Sequence, residues 1–296
     1  MPSCPITILV NVTARRGVCD QVEALAAACA RVGLSGSIQR VSGDAIVGVA
    51  ERAAATRHVL VAAGGDGTAS AVASVAVRTG ATFGVVPLGT LNHFARDIGM
   101  PLDLDGAVAV IAAGRTRLLD TGELNGHTFV NNASLGLYPR LVRDREMQQQ
   151  SGRAKWPAFA VALLRTWFRY RPITVHIDAD DVPLVRRTPF VFVGNGIYQI
   201  QGPGLGSRSS LEAGRLSVLV APECGRVELL GLSLRALVKR LTPDTKFEAF
   251  AARDLSIEVA RHHIMAALDG ELVTVEAPLR CAIRPRSLRT IVPEVT

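Results

Sequence analysis

The first half of the chain alternates short apolar runs with segments whose apolar residues recur at helical spacing. The runs predict buried strands, the spaced segments predict helices, and their strict alternation predicts a parallel sheet covered by helices on both faces. The predicted strands are residues 6–12, 37–41, 59–63 and 83–87, and the predicted helices are 22–32, 44–55 (with Asp44 as its N-cap), 69–78 and 104–113.

The second half of the chain is richer in alternating apolar and polar residues, which favours strands. The predicted strands are residues 173–179, 182–193, 216–221, 255–259, 264–267, 272–276 and 289–292, and the predicted helices lie near 154–169 and 226–241. This change of pattern predicts two domains. An α/β N-terminal domain with a parallel sheet covers residues 1–127, residues 287–296 return to it, and a β-rich domain covers 128–286.

Composition narrows the location of the protein and its partners. The chain is 48% hydrophobic, but no apolar run approaches the ~20 residues of a membrane span, and its N-terminal apolar run suits a buried strand better than a signal peptide. Its five cysteines show no zinc spacing, and His262-His263 is interpreted as a surface or strand-edge pair rather than a ligand pair. A cytoplasmic protein with free thiols is expected.

The net charge of +7 leaves nucleic acid, an anionic membrane surface and phosphate-rich substrates as candidate partners. Aromatic residues make up only 5% of the chain, and neither a helix-turn-helix nor an RNA-binding signature is present. We therefore expect no nucleic-acid partner.

The stretch VLVAAGGDGT, residues 59–68, predicts a strand, a tight glycine turn and the start of a helix. Glycines permit close approach of a phosphate, and the N-terminus of a helix offers N–H donors and a positive dipole end. Asp66 would repel phosphate unless a cation lies between them. The turn therefore predicts a nucleotide–Mg²⁺ site, with Asp66 on the metal side.

Three further polar groups follow predicted strands or turns. They are Pro87–Asn92, which contains Thr90 and Asn92; Asp120-Thr121-Gly122; and Asp269-Gly270-Glu271. Phosphoryl transfer can use such a set, because it requires phosphate positioning, a cation and a carboxylate that accepts the acceptor's proton. The chain contains no GxxxxGK[ST], HRD, DFG or GxGxxG motif, which excludes a P-loop and a protein kinase and weakens a dinucleotide site.

The order of these motifs resembles the diacylglycerol kinase catalytic-domain family of lipid kinases, which includes bacterial lipid kinases and sphingosine kinases. The motifs that carry the resemblance are GGDGT at 64–68, PLGTLNHFARDIG at 87–99, DTGELNG at 120–126 and LDGE at 268–271. The resemblance covers nearly the whole chain. It implies an α/β nucleotide domain, a C-terminal β-sandwich domain and a cleft between them.

The resemblance also implies a role for each matching residue. Gly64, Gly65, Gly67 and Thr68 would bind ATP phosphates, Asp66 would organise Mg²⁺, and Thr90, Asn92 and Asn11 would lie on the nucleotide side. Asp120 would face the transferring phosphoryl group, and Glu271 would be the general base for a lipid hydroxyl.

The sequence departs from the family pattern at three places. Residues 12–17 replace the usual Pro and Ser-Gly after Asn11, and His93 stands where relatives often have Asp. Residues 211–215 read LEAGR where bacterial relatives with a structural Mg²⁺ carry paired aspartates, which puts an auxiliary metal site in doubt.

The basic segment 153–171 contains both tryptophans and no acidic residue. It predicts either a helix packed on the β-rich domain or a helix in a membrane interface, where Lys155, Arg165 and Arg169, like Arg15 and Arg16, would attract anionic headgroups. The expected partners are a lipid substrate and, peripherally, the inner membrane surface; a homodimer is left open.

The function predicted from these observations is an ATP-dependent lipid kinase that acts on diacylglycerol or a related lipid. An NAD kinase is one alternative, because NAD kinases share GGDGT. Residues 130–133 read VNNA, however, and lack the Asn-Glu pair that holds an acceptor ribose in those enzymes. A non-catalytic nucleotide- or lipid-binding module is the other alternative.

Overall fold

The computed structural model describes residues 5–12, 18–56, 58–137, 139, 172–180, 182–199, 208–225, 228 and 247–294. The chain forms two compact units. Unit 1 consists of Met1–Thr121 and Arg284–Thr296, and unit 2 consists of Gly122–Ile283.

The chain up to residue 124 alternates strands and helices. In order they are β1 (Ile6–Asn11), α1 (Val18–Arg31), β2 (Gly36–Val41), α2 (Ile46–Ala55), β3 (Val59–Gly64), α3 (Asp66–Thr79), β4 (Phe83–Pro87), α4 (His93–Asp97), α5 (Leu104–Ala113) and β5 (Thr116–Leu124).

The described chain beyond residue 124 consists mainly of strands. They are β6 (His127–Phe129), β7 (Asn132–Gly136), β8 (Ile173–Ala179), β9 (Val182–Thr188), β10 (Phe190–Asn195), β11 (Ile197–Tyr198), β12 (Arg208–Ser210), β13 (Leu216–Val220), β14 (Glu248–Ala252), β15 (Asp254–Val259), β16 (His263–Leu268), β17 (Glu271–Glu276) and β18 (Leu279–Ile291).

Unit 1 is built on a parallel sheet, which confirms the predicted α/β class. Its strands lie in the order β2-β1-β3-β4-β18, and β18 joins through a parallel pair between Thr290 and Phe83. Every residue of β4 is buried, as are the four central residues of β1 and of β3. Strands buried on both faces carry continuous apolar runs, which is the pattern that predicted them.

Three helix starts in unit 1 differ from the prediction. Helix α1 begins at Val18 rather than at residue 22. Helix α2 begins at Ile46 after Ala45, and Asp44 does not cap it. The Asp44 side chain is instead hydrogen-bonded with Ser42, which lowers the pKa of its carboxyl. A side chain that bonds its own turn is not available to cap the helix. Helix α3 begins at Asp66 rather than at residue 69, so most of the predicted glycine turn is the first turn of the helix.

The described residues of unit 2 form two large antiparallel sheets and the small sheet β11–β12, and the predicted β-sandwich is confirmed. One sheet joins β9, β8 and β15 to the first part of β18, and the other has the order β14-β13-β10-β7-β16-β17. One apolar core contains side chains of both sheets, among them Ile177 and Ile257 from the first, and Leu135, Val191 and Val218 from the second. Alternate residues of β8 are buried, as expected of a strand with one face on the core.

The predicted strand over residues 182–193 is wrong as a single element. It is two strands, because Pro189 lies between β9 and β10 and cannot donate to a ladder. Strand β9 pairs with β8, whereas β10 pairs with β7 and β13 in the other sheet. The predicted helices near 154–169 and 226–241, and the basic residues of segment 153–171, fall outside the described residues, as do Arg15 and Arg16.

Two cysteine thiols lie inside the described core. Burial raises the pKa of Cys281 to about 12 and also raises the pKa of Cys29. Thiols of this kind are poor nucleophiles and behave as small apolar side chains. Among the described residues, no helix is both long enough and apolar enough to cross a membrane.

Candidate active site

The two glycine turns of unit 1 leave neighbouring strands at the same edge of the sheet. Strands β3 and β4 are parallel, and their last paired residues are Gly64 and Pro87. The Leu88 N–H donates to the Gly64 carbonyl at 2.9 Å, so the pairing continues into the turns. Ligands of α/β proteins bind at this carboxyl edge of a parallel sheet, and the turns here lead directly into α3 and α4.

The two turns touch through their glycines. A Cβ on Gly89 would lie 2.5 Å from the Cα of Gly65 and 2.6 Å from Oδ1 of Asn92. A Cβ on Gly64 would lie 2.6 Å from Oγ1 of Thr68. A side chain is therefore excluded at Gly89 by the other turn and at Gly64 by Thr68. The sequence predicted Gly64 and Gly65 as site residues but not Gly89. The signal that could have identified Gly89 is its position in the second glycine turn.

Polar side chains join the strand edge to the turns. Asn11, at the end of β1, donates from Nδ2 to Oγ1 of Thr68 at 3.1 Å. Asn92 lies in the left-handed region with φ 52° and exchanges two hydrogen bonds with Gly89, accepting its N–H at 3.0 Å and donating to its carbonyl at 3.1 Å. Asn92 thus holds its own turn, whereas Thr90 is exposed on the turn's surface.

Asp66 is the first residue of α3 and is hydrogen-bonded to α4, the helix that follows the second turn. Its Oδ1 accepts the Phe94 N–H at 3.4 Å, which uses one carboxylate oxygen. Within the part of the chain that the structure describes, no side chain caps α3, whose N-cap is Gly65. Uncapped N–H groups of a helix start suit a phosphate, and a carboxylate beside them suits a divalent cation. The residues therefore fit a phosphate–metal ligand.

Asp120 lies on β5 in unit 1 and is only 2% exposed. Its Oδ1 accepts the Arg286 N–H at 2.8 Å, and Arg286 has a positive φ of 53°. The hydroxyls of Thr121 and Ser287 are hydrogen-bonded at 2.8 Å. These contacts stabilise a left-handed residue in β18, so Asp120 has a structural role in addition to any role in chemistry.

Glu271 belongs to unit 2 and is exposed at the first position of β17. It pairs across the hairpin with Leu268, and the two residues between them have positive φ, 50° at Asp269 and 90° at Gly270. Two residues with positive φ form the hairpin turn that Asp-Gly favours. The turn presents Glu271 at the end of a rigid ladder.

Asp269 anchors the segment that precedes β7. Its Oδ2 accepts the Val130 N–H at 2.8 Å, and its Oδ1 accepts the N–H groups of Asn131 at 2.7 Å and Asn132 at 2.9 Å. Val130 and Asn131 are buried, so these donors require partners inside the protein. Asp269 lies within the LDGE motif, but its role cannot be predicted from the sequence, because its hydrogen-bond partners are nearly 140 residues away.

The same segment is held from its other side by three more side chains. Arg208 donates to the Val130 carbonyl at 2.6 Å and to Oδ1 of Asn131 at 2.8 Å. Asn195 donates to the Val130 carbonyl at 3.0 Å, and the Tyr198 hydroxyl donates to the Asn131 carbonyl at 3.1 Å. The Asn131 side chain is thereby engaged within unit 2.

The structure thus brings one subset of the predicted site residues together. Asn11, Gly64, Gly65, Asp66, Thr68 and Asn92 meet around the two turns of unit 1, with Gly67 in the first turn of α3. Asp120 lies on a strand reached from β3 through β4 and β18, and Glu271 lies in unit 2.

Comparison with known families assigns both parts of the chain. The family model of the diacylglycerol kinase catalytic domain matches residues 5–124. The model of the YegS C-terminal NAD kinase beta sandwich-like domain matches residues 141–292, more than half of the 296-residue chain. The fold and these matches define a two-domain protein that joins a diacylglycerol kinase catalytic domain to a YegS-type second domain. The chain belongs to the diacylglycerol kinase catalytic-domain family, with a YegS-type second domain.

Individual relatives carry names of the same kind. A Bacillus subtilis protein named diacylglycerol kinase is 27% identical over 236 residues, which cover 78% of this chain and 76% of that protein. A Pseudomonas aeruginosa protein named probable lipid kinase YegS-like is 31% identical over 184 residues, 61% of this chain and 60% of that one. An uncharacterized Synechocystis protein, 26% identical, is matched over 54% of its length.

A solved structure shares the fold over almost the whole chain. It is described as a diacylglycerol kinase from Bacillus anthracis strain Sterne and superposes with a TM-score of 0.71, covering 98% of this chain and 97% of that one. Sequence identity is 17%, so this likeness concerns the fold.

Proposed function

We propose that this protein is an ATP-dependent kinase that transfers the γ-phosphoryl group to a hydroxyl of a lipid, diacylglycerol or a relative of it. The observation that carries the proposal is the contact between the two glycine turns. This contact lies beside the uncapped start of α3, where Asp66 accepts a hydrogen bond from the Phe94 N–H. Membership of the diacylglycerol kinase catalytic-domain family supports the reaction class.

On the nucleotide side, backbone and side chains have separate tasks. The N–H groups at the start of α3 bind phosphate oxygens, and Thr68, oriented by Asn11, adds a hydroxyl donor. Asp66 holds a cation, and Mg²⁺ bound there would neutralise the charge of the phosphates. Thr90 and Asn92 contact the nucleotide from the second turn, which keeps its shape through the Asn92–Gly89 hydrogen bonds.

On the acceptor side, we assign the proton transfer to Glu271. An exposed carboxylate on a rigid hairpin can accept the proton of an alcohol as that alcohol attacks phosphorus. Asp120 contributes negative charge and orientation near the phosphoryl group. The lipid assignment is supported by the names of the Bacillus subtilis and Pseudomonas aeruginosa relatives.

The function is tested by transfer of label from γ-labelled ATP into a total lipid extract, with the products identified by mass. The proposal expects a phosphorylated lipid that requires Mg²⁺ and disappears in Asp66→Asn. A parallel reaction with NAD in place of lipid distinguishes an NAD kinase, because the second domain is of the NAD kinase beta sandwich-like type. Label in NADP but not in lipid overturns the proposal. Nucleotide-induced stabilisation without label in any product supports a non-catalytic module and overturns it as well.

We further propose that the protein is cytoplasmic and works at an anionic membrane surface. The net charge of +7 supports this, because each basic residue near a charged leaflet contributes ~1 kcal/mol. Sedimentation with vesicles should increase with the content of anionic lipid and decrease with salt. Binding that ignores both variables contradicts the electrostatic part of the proposal.

A further inference from the structure

The open end of the β16–β17 hairpin, opposite the turn that carries Glu271, holds three metal-ligating side chains. They are His262, His263 and Glu276, all exposed, and one donor atom from each lies within 4.8 Å of the others. His263 and Glu276 are paired across the two strands, and Nε2 of His263 lies 3.6 Å from Oε1 of Glu276.

The backbone explains how two consecutive histidines reach the same place. Successive residues of a strand point to opposite faces, but β16 begins at His263, and His262 precedes it in a bend. The two imidazole rings are consequently 4.8 Å apart and inclined at 47°. From the sequence, which contains no HExxH pattern, these histidines are predicted to be a surface or strand-edge pair rather than ligands.

Hydrogen bonds fix the backbone that carries the three donors. The Ala277 N–H donates to the His262 carbonyl at 2.8 Å, and Nδ2 of Asn125 donates to the Glu276 carbonyl at 2.7 Å. The β16–β17 ladder pairs every residue from His263 to Leu268 with one from Glu271 to Glu276. Binding an ion therefore requires rotation of side chains on a backbone that is already positioned.

The donor set selects the class of ion. Two imidazole nitrogens and one carboxylate oxygen form a usual protein ligand set for zinc, with the fourth position taken by water. Tetrahedral ligands about 2.1 Å from the ion lie about 3.4 Å from one another, close to the 3.6 Å already present between His263 and Glu276. Among the described residues, no other three His, Cys, Asp or Glu donors come this close together.

We propose that His262, His263 and Glu276 bind a divalent transition-metal ion of the Zn²⁺ class. This site and the Mg²⁺ site proposed at Asp66 use different residues and different types of ligand. Imidazole ligands favour Zn²⁺, whereas Mg²⁺ prefers oxygen ligands and water. Strand β17 is the edge strand of its sheet, so the ion joins the edge strand to β16 at the end remote from the turn. The proposal does not depend on the kinase reaction.

The test is calorimetric titration of Zn²⁺ and of Mg²⁺ into the untagged, chelator-treated full chain. We expect one Zn²⁺ per chain and no Mg²⁺ at this site. Removing a hydrogen-bond partner of a metal ligand typically lowers metal affinity 10–100-fold, and removing a ligand itself should cost at least as much. We therefore expect His262→Ala, His263→Ala and Glu276→Gln each to weaken Zn²⁺ binding by at least about tenfold.

The matched control is His176→Ala. His176 is an exposed histidine on β8 that pairs across the sheet with the exposed Glu258, and so offers the same donor pair without the third ligand. Its removal should leave Zn²⁺ affinity and stoichiometry unchanged. Absence of Zn²⁺ binding by the original chain, or binding by the three cluster variants that is as tight as that of the original chain, overturns the proposal.

A second readout separates binding from loss of folding. Zn²⁺ should raise the midpoint of thermal unfolding of the original chain, because a ligand that binds only the folded state stabilises it. The same addition should not shift His263→Ala, whose metal-free midpoint should match the original because the side chain is exposed. An equal Zn²⁺-induced shift in both proteins places the ion elsewhere and refutes the assignment.

Discussion

The turns of unit 1 and the hairpin of unit 2 are shaped by opposite means. In unit 1, Gly89 allows two turns to approach, because a Cβ at this position would lie 2.5 Å from the Cα of Gly65 in the other turn. In unit 2, the Asp269 side chain fixes a turn, because its carboxylate accepts hydrogen bonds from three backbone N–H groups. The first arrangement leaves backbone donors at the start of α3 open to a ligand, whereas the second uses its donors internally.

The same difference is present within the LDGE motif, where one carboxylate holds the backbone and the other is exposed. Asp269 and Glu271 are two residues apart, yet Asp269 makes part-buried hydrogen bonds to backbone and Glu271 is exposed on β17. We therefore expect substitutions in the glycine turns to affect both packing and nucleotide binding. Substitutions in the hairpin should affect either stability or turnover, depending on which of the two carboxylates is changed.

The largest expected effect is the loss of turnover in Glu271→Gln. If Glu271 is the base, turnover should decrease by about 10²–10⁴-fold. The free energy of unfolding should change by less than about 0.5 kcal/mol, since the side chain is exposed. Kinase assays and urea unfolding measure the two quantities. Glu258→Gln, on the exposed face of β15, is the matched control, and normal turnover in Glu271→Gln removes this residue from the mechanism.

Asp269→Ala should have the largest effect on stability. It leaves the N–H groups of Val130, Asn131 and Asn132 without their carboxylate and places alanine at a φ of 50°. Hydrogen bonds to charged groups contribute about 1.5–3 kcal/mol each, so a loss of about 3 kcal/mol is expected in urea unfolding. Asp178→Ala, an exposed change on β8, should stay within about 0.5 kcal/mol. Equal stability of the two variants would contradict the supporting role.

Gly89→Ala tests the contact between the glycine turns. The added methyl group would lie 2.5 Å from the Cα of Gly65, and backbone on both sides limits relaxation. We expect a destabilisation of about 1–3 kcal/mol and an increased KM for ATP. The control is Gly48→Ala in α2, where the nearest atom is 3.6 Å away and the higher helix propensity of alanine should stabilise by up to about 1 kcal/mol. An unchanged KM in Gly89→Ala would separate the turn contact from nucleotide binding.

The smallest expected effect is a pH-dependent one at Asp180, another carboxylate that accepts hydrogen bonds from backbone N–H groups. Hydrogen bonds from the N–H groups of Asp254 and Arg253 lower the pKa of this carboxyl. A lowered pKa in the folded state contributes stability above the unfolded value of about 4, and this contribution is lost as the pH falls through the folded value.

Asp180→Asn isolates this charge, because asparagine keeps an acceptor oxygen and tolerates the φ of 47°. In urea unfolding, the original chain should be more stable than Asp180→Asn at pH 7, and the difference should shrink as the pH falls below the unfolded value of about 4. A difference that stays constant with pH would contradict the electrostatic origin.

Much of the fold is visible in the sequence because its causes are local. Buried parallel strands such as Phe83–Pro87 are continuous apolar runs, and the Asp269-Gly270 turn follows from backbone preference. The start of α3 was misplaced for a local reason too. Gly and Asp have low helix propensity, and here the sheet edge and the second turn outweigh that preference.

The contacts of the site could not be read from the sequence, because their partners are far apart along the chain. Asp120 bonds the backbone of Arg286, which is 166 residues away. Asp66 bonds Phe94, and Thr68 bonds Asn11 across 57 residues. A motif indicates which residues carry chemistry. Only the fold shows that a carboxylate such as Asp120 is also occupied in holding a strand.

Strand β18 has a consequence for the order in which the protein matures during translation. Its residues from Arg284 onward belong to unit 1, where Thr290 pairs with Phe83 of β4. Until the ribosome has released that segment, β4 presents an uncovered sheet edge, the kind of surface that promotes aggregation. The unit synthesised first is therefore finished last, and the nascent chain needs shielding for the whole time that unit 2 is being made.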